Sequence, residues 1–432
     1  MYARSAAYVA AAALVLGILL RQSALVSLGI LGLTTLGIAA VWGRGALAGV
    51  TYERRLSEDH VFWGERVGVD VTLTNYKLLP LTWLEADEPL SRKLTFLPPQ
   101  PDLVLAPPDL LLAHSVALRP FERVHWRYEM ECPARGLYRF GPVTLRSGDP
   151  FGLYTRETQQ AAPAHLYVYP KTLTLDALGL PPRQPFGDIR ASRMLLEDPL
   201  RTAGVREYRP EDPFKRVHWK ATARTQQLQV RTYDPTTDHT VLFFLNIETW
   251  HHIYEGLDTA QAEWAIIVAA SLARWAATQG WSFGLHSNSA AADAGEGVRI
   301  GAGRSPGQLI RLLEGLARMT LYSIRPFSEL LRTEAHNLPL GSTVVVLTPV
   351  LPVSLRATLV RLRERGMRIV VCALSDDPPP PLPRMTVYHL PAPREAEYLR
   401  HTGEVERQLP DRLRPTARTA RSPAAQPLEG AL

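Results

Sequence analysis

The residues best suited to chemistry lie in two clusters. The first is Phe244-Leu245-Asn246-Ile247-Glu248-Thr249-Trp250-His251-His252, closing an apolar stretch that begins at Val241. Glu248, His251 and His252, joined by Glu255 or Asp258, offer the oxygen and nitrogen donors of a mixed metal site. Adjacent histidines lack the i, i+4 spacing that sets two ligands on one helix face, so a solvated polar loop is the simpler expectation. The second cluster runs from Arg206 through Tyr208, Arg209, Glu211, Asp212, Lys215, Arg216, His218, Trp219 and Lys220 to Arg224. Its cations Arg206, Arg209, Lys215, Arg216 and Lys220 could grip a phosphate or an acidic partner segment. They could equally pair with their own carboxylates and tie an irregular stretch between domains. The second expectation is preferred, because charged networks also serve as structural ties.

Known catalytic signatures are absent from the sequence. It has no glycine-rich phosphate loop, no Gly-x-Ser-x-Gly elbow and no His-Glu-x-x-His. Cys132 precedes a proline at a strand end, and Cys372 lies inside an apolar run; neither has the exposed, electropositive setting of a nucleophilic thiol. The expectation is a non-enzymatic chain with no catalytic residue and no cofactor.

The elements that must hold these clusters follow from composition and periodicity. With 432 residues, 46% hydrophobic and 21% charged, the chain suits two or three domains with real cores. Two cysteines exclude a disulfide scaffold and a four-cysteine zinc site. The net charge of +6 is carried almost wholly by arginine, lysine occurring only at 77, 93, 171, 215 and 220. The excess is spread along the chain, so nucleic acid is not an expected partner.

Ser5 to Leu20 is apolar, Arg21-Gln22 interrupts, and Ser23 to Trp42 is apolar again. A span needs roughly 20 such residues, with about 17 the lower limit. The two runs predict a transmembrane helical hairpin over residues 1–44, close-packed through alanines and glycines. A cleaved signal peptide would show one run, and the second directly after it argues against that. Arg4 before the pair, and Arg44, Arg54 and Arg55 after it, predict an integral protein of the inner or plasma membrane with its soluble domains cytoplasmic.

Residues 45–170 read as an all-β sandwich. Val67, Val69, Val71 and Leu73 alternate with polar residues, as do Val124, Trp126, Tyr128 and Met130, with Pro and Gly between strands. Residues 171–239 read as a connecting segment. From 240 to 395 the pattern becomes α/β. Val241–Leu245, Thr343–Leu347 and Ile369–Leu374 are continuous apolar runs, as expected of parallel strands covered on both faces. Helical periods at Thr259–Gln279, around Leu309–Leu316 and at Leu355–Arg365 separate them. This predicts a doubly wound domain, whose ligands bind at the carboxyl ends of its strands. The tail 396–432 reads as basic and disordered.

Three segments then carry a family resemblance. They are Arg135-Gly136-Leu137-Tyr138-Arg139-Phe140-Gly141-Pro142 leading to Asp149-Pro150-Phe151-Gly152-Leu153; Tyr169-Pro170-Lys171; and Arg206-x-Tyr208 through Asp212, Lys215, Arg216, Trp219 and Lys220 to Arg224. Together they resemble the bacterial domain-of-unknown-function fifty-eight family. The resemblance implies a C-terminal domain similar to von Willebrand factor type A domains, which usually bind partners and do no catalysis. It also implies a partner of the MoxR type, an AAA+ ATPase thought to act as a chaperone. Metal-binding type A domains carry Asp-x-Ser-x-Ser after the first strand; the matching positions here are Asn246, Glu248 and Trp250. Neutral Asn and bulky Trp are poor ligands for a hard cation. The later strand ends in Leu347-Thr348-Pro349, where an acid would be expected. The implied metal site is therefore lost, leaving a protein-binding surface on a membrane-anchored adaptor. The alternatives are an enzyme or sensor gripping an anionic ligand through Arg206–Arg224, and a purely structural envelope protein.

Overall fold

The computed structural model describes residues 2–98, 102–106, 109–181, 185–186, 197–210, 212–235, 239–249, 257–338 and 341–393. The expected tail from 396 lies outside them. The chain divides into two compact units between Pro170 and Lys171.

The first unit opens with helices α1 (Tyr2–Leu19) and α2 (Ser23–Gly45). Arg21 turns the chain between them in the left-handed region, at φ 57. Glycines then let the two backbones touch. A β-carbon added at Gly29 would sit 2.6 Å from the Leu14 amide nitrogen, and one at Gly32 would sit 2.9 Å from the Ala10 β-carbon. The 23 residues of α2 reach about 34 Å at 1.5 Å each, enough for a hydrocarbon core of about 30 Å. Ser23–Gly45 is long and apolar enough to cross a membrane, while the apolar stretch Ser5–Leu19 falls short of that length. Leu28, Leu31, Ile38 and Val41 of α2 are all exposed.

Twelve strands follow: β1 (Val50–Leu56), β2 (His60–Phe62), β3 (Arg66–Asn75), β4 (Leu81–Leu90), β5 (Thr95–Phe96), β6 (Asp102–Ala106), β7 (Asp109–Leu118), β8 (Arg123–Glu131), β9 (Gly136–Phe140), β10 (Val143–Gly148), β11 (Thr155–Gln160) and β12 (Ala164–Tyr169). They form sheets ordered β1-β3-β8-β5, β11-β10-β4-β7-β6 and β2-β12-β9. Residues of all three share one core. Val67, Val69, Val71 and Leu73 of β3 meet Leu84 and Ala86 of β4, Met130 of β8, Leu145 of β10 and Leu166 of β12 there. Alternation therefore works as the period-two pattern requires: one face of β3 is buried, and Gly68 and Asp70 point away.

An ion pair crosses this core. Arg54 of β1 is paired with Glu88 of β4, and both side chains are almost wholly buried. Tyr52 Oη donates to Glu88 at 2.7 Å, and Arg54 donates to the Ala162 carbonyl at 2.6 Å while lying over the Phe140 ring.

The second unit begins with a two-stranded ribbon, β13 (Glu197–Glu207) against β14 (Gln229–Pro235), carrying the short helix α3 (Trp219–Thr225). The stretch expected to be irregular is thus ordered. After it come β15 (Thr240–Leu245), α4 (Thr259–Thr278), β16 (Ser282–Ala291), β17 (Gly297–Gly303), α5 (Gln308–Arg318), β18 (Met319–Ser323), α6 (Phe327–Glu334), β19 (Thr343–Thr348), α7 (Val353–Glu364), β20 (Arg368–Ala373) and β21 (Thr386–His389). The main sheet runs β17-β16-β15-β19-β20-β21, with β18 pairing to β16. Strands β16, β15, β19, β20 and β21 are parallel, and β17 closes one edge antiparallel.

Helices cover both faces of this sheet. Leu242 and Phe244 of β15, with Val344 and Val346 of β19, pack on Leu330 and Leu331 of α6 and Leu355 and Leu359 of α7. The residues between them turn to the other face, where Phe243 meets Phe186, itself edge-on to Trp275 of α4. Burial on both faces accounts for the unbroken apolar runs, each large side chain contributing roughly 1.5–3 kcal/mol. The start of the expected connecting segment is built into this unit. The Leu173 amide donates to Ser271 of α4 at 2.8 Å, and Arg274 donates to Thr172 at 2.8 Å.

Candidate functional site

The chain leaves β15 toward β16 on one side of the sheet and β19 on the other. The carboxyl end of β15 is therefore the topological switch point, where open α/β sheets place their ligands. Asn246 and Glu248 stand there. Asn246 is fully buried, with its amide held on both sides. Its Nδ2 donates to Thr348 Oγ1 at the end of β19 (2.9 Å), and its Oδ1 accepts from Asn288 Nδ2 of β16 (3.0 Å) and the Glu248 amide (3.0 Å). Asn288 in turn accepts from the Ile247 amide at 3.1 Å.

Glu248 is half-buried and projects from this network. Its Oε1 lies 3.1 Å from Asn288 Nδ2, 3.1 Å from Ser323 Oγ and 3.3 Å from the Phe327 amide at the start of α6. Burial pushes its carboxyl pKa up, against the pull of those three donors. No cationic side chain pairs with it among the described residues.

The donor set does not fit a hard cation. The Asn246 carbonyl oxygen and Glu248 Oε1 are turned to protein N–H and O–H groups, and the Asn246 nitrogen faces Thr348, itself neutral. Among the described residues a divalent ion would find a single carboxylate, one of its oxygens already engaged, among amides and hydroxyls. Of the other candidate ligands, Asp258 caps α4, accepting from the Ala260 and Gln261 amides at 2.9 and 3.1 Å. Trp250, His251, His252 and Glu255 lie outside the described residues. Asn288 and Ser323 escaped sequence reading. The signal available for Asn288 was the polar run Ser287-Asn288-Ser289 following Phe283-Gly284-Leu285 in β16; all three are fully buried.

The second cluster does not converge on a pocket. Arg206 forks onto Asp212 with two bonds of 2.7 and 2.5 Å, which removes it from any set available to an anion. The Arg209 amide also donates to Asp212, at 2.9 Å, and these bonds hold the Asp212 carboxyl below its usual range. Tyr208 lies 5.8 Å from the Phe214 ring, half-buried, while Trp219, Lys220 and Arg224 are exposed. Of Arg216 only the backbone, in a single 3-10 turn, is described. Cys132 and Cys372 are both buried, and burial pushes each thiol up to about 12.

Comparison with known proteins bears on this second unit. Residues 204–407 match the model of the family described as "Protein of unknown function DUF58". The uncharacterized protein YeaD of Bacillus subtilis (strain 168) is 25% identical over 194 residues, 45% of this chain and 46% of that one. The chain thus spans about half the length of the curated relative it matches. Among solved structures, the CARDB domain of the PF1109 protein from Pyrococcus furiosus covers 28% of this chain and 91% of its own, at 14% identity and a TM-score of 0.20. A non-cellulosomal cohesin from Archaeoglobus fulgidus covers 27% and 91%, at 7% identity and a TM-score of 0.19. Likenesses that slight carry no structural argument. The family resemblance is borne out over residues 204–407, which include the Arg206–Arg224 segment; the segments at 135–153 and 169–171 that also suggested it lie outside the match.

Proposed function

We propose that this chain is a non-enzymatic, membrane-anchored adaptor whose α/β unit binds a protein partner at the carboxyl end of β15 without a metal ion. The observation that carries the reading is the state of Asn246 and Glu248. In a type A-like domain the metal motif would occupy these positions; here they form a closed amide and hydroxyl network that leaves one carboxylate at the rim. The strand order, with its antiparallel edge at β17, agrees with a type A-like fold. The pairing of α1 with α2 supports two membrane spans, and the arginines flanking them support a cytoplasmic body in the inner or plasma membrane. The partner class that the family resemblance implies is a MoxR-type AAA+ ATPase or its client.

The test is affinity capture of the full chain from gently solubilised native membranes, with ATP, with a non-hydrolysable analogue and with neither. Nucleotide-dependent recovery of an AAA+ ATPase is the expected result. Recovery of the chain alone, under conditions that preserve other membrane complexes, would overturn it and leave a purely structural envelope role. Millimolar Mg2+ is expected to leave the Tm of the α/β unit unchanged; a rise that Glu248→Gln abolishes would show that the strand end holds a cation after all.

A further inference from the structure

The ribbon of β13 and β14 sorts the residues of the Arg206–Arg224 motif into two groups. One group is consumed inside the ribbon. Arg206 and Asp212 close their fork, and the Asp212 carboxylate also fixes the Arg209 amide. His218 Nδ1 accepts from the Ala221 amide at 3.1 Å and caps α3. Thr222 Oγ1 donates to the His218 carbonyl at 3.2 Å and accepts from the Gln229 amide at 3.0 Å, stitching α3 to β14. Val217 and Val230 are buried and bridge across the base of the excursion.

The other group faces outward. Phe214 is 60% exposed and Trp219 63%, with ring centroids 6.3 Å apart. Lys215 and Lys220 adjoin them in sequence and Arg224 lies in the last turn of α3, all exposed and without a carboxylate partner among the described residues. Two of the chain's five lysines thus fall between Phe214 and Lys220. Helix α3 buries none of its own residues. Large exposed aromatics are costly to leave in water, and here internal bonds fix the backbone that presents them. That is preorganisation: the ordering cost of binding is met before the partner arrives.

We infer that Phe214 and Trp219, with the neighbouring exposed Lys215, Lys220 and Arg224, form a second docking surface for a protein with an acidic rim around an apolar pocket. This goes beyond the strand-end reading and does not depend on it. Charge complementarity sets the sign of the partner. Aromatic and arginine side chains are the usual anchors of protein interfaces, with charges at the rim steering approach. A lipid surface is the less fitting occupant. Membrane-lying helices need a long apolar face, and α3 is seven residues with Lys220, Thr222 and Arg224 among them.

The experiment places the photo-crosslinking residue p-benzoylphenylalanine at Trp219 of the full chain in native membranes. The same residue at Phe121, 64% exposed between β7 and β8 of the first unit, serves as the control. The expected result is a cross-link to one protein, mapping to an acid-rich surface. The yield should fall about tenfold on combining Lys215→Gln, Lys220→Gln and Arg224→Gln, and fall similarly in high salt. Those three side chains make no hydrogen bond or ion pair among the described residues, so the variant is expected to keep its fold. Phe214→Ala gives a second reading, with a drop of about thirtyfold for an aromatic anchor. Cross-links to lipid alone, a yield no higher than at Phe121, or a yield that ignores the three cations would each overturn the proposal.

Discussion

Glu88 in the first unit and Glu248 in the second are both carboxylates drawn away from water, and they are held in opposite ways. Glu88 is enclosed by a full complement of charge: the Arg54 guanidinium pairs with it and the Tyr52 hydroxyl donates to it. Burial lowers the Arg54 pKa to about 10, still well above neutral pH, so a charged guanidinium faces Glu88. Glu248 has no cationic partner among the described residues. Amide and hydroxyl donors hold one of its oxygens at the rim of the sheet, and its pKa rises. The first arrangement is closed and can only support structure. The second leaves a charge unmatched where ligands of this fold arrive, and a cationic side chain of a partner would complete it.

This contrast can be broken at either end. The largest expected effect is from Arg54→Ala, which strands Glu88 in the core. It should cost about 3–5 kcal/mol, read as a loss of denaturation midpoint for the β-rich unit, whereas a surface pair would cost under about 1 kcal/mol. The same core tolerates His114 only as a neutral ring. Burial pushes it down to about 4, beside Tyr128 at 3.2 Å and against the Trp126 ring. A histidine whose folded pKa is lowered contributes stability that is present above its unfolded value, near 6.5. That stability is lost as pH falls from there toward 4. The loss should reach roughly 3 kcal/mol at most, and His114→Gln should flatten that part of the pH profile.

Asn246→Asp comes next. It replaces the nitrogen that donates to Thr348 with a second acceptor and sets two carboxylates side by side. A cost of about 1–3 kcal/mol is expected in the α/β unit, measured by thermal unfolding. Glu248→Gln sits at the small end: the acceptor oxygen is kept, so stability should change by under about 1 kcal/mol. Capture of the partner should nevertheless weaken sharply. If stability fell as far as with Arg54→Ala, the two glutamates would be structural alike.

Much of this architecture is legible in the sequence because its signals are local. Val67 to Leu73 alternate, and that strand is buried on one face. Val241–Leu245 and Thr343–Leu347 are apolar without a break, and both strands lie under helices on both faces. The strand-end position of Asn246 and Glu248 follows from the same pattern. Their partners do not. Asn288 and Ser323 reach Glu248 from 40 and 75 residues away, and nothing in spacing announces a contact made by sheet order. The ribbon of β13 and β14 was illegible for a different reason. Val205, Arg206 and Glu207 are exposed in succession, so no alternation marks that end of β13, and the stretch beyond it is held by the Arg206–Asp212 fork and the capping of α3. Helix α6 is only eight residues, too short for a helical period to stand out.

The seam between α1 and α2 has a mechanical consequence. With Gly29 seated on Leu14 and Gly32 on Ala10, the helices interlock like a key in its slot. Turning α2 about its own axis by the roughly 100° between successive residues would drive the exposed Leu28 or Ile30 against the Leu14 backbone. Rotation of one helix on its own is therefore opposed, and a torque on either is passed to the other.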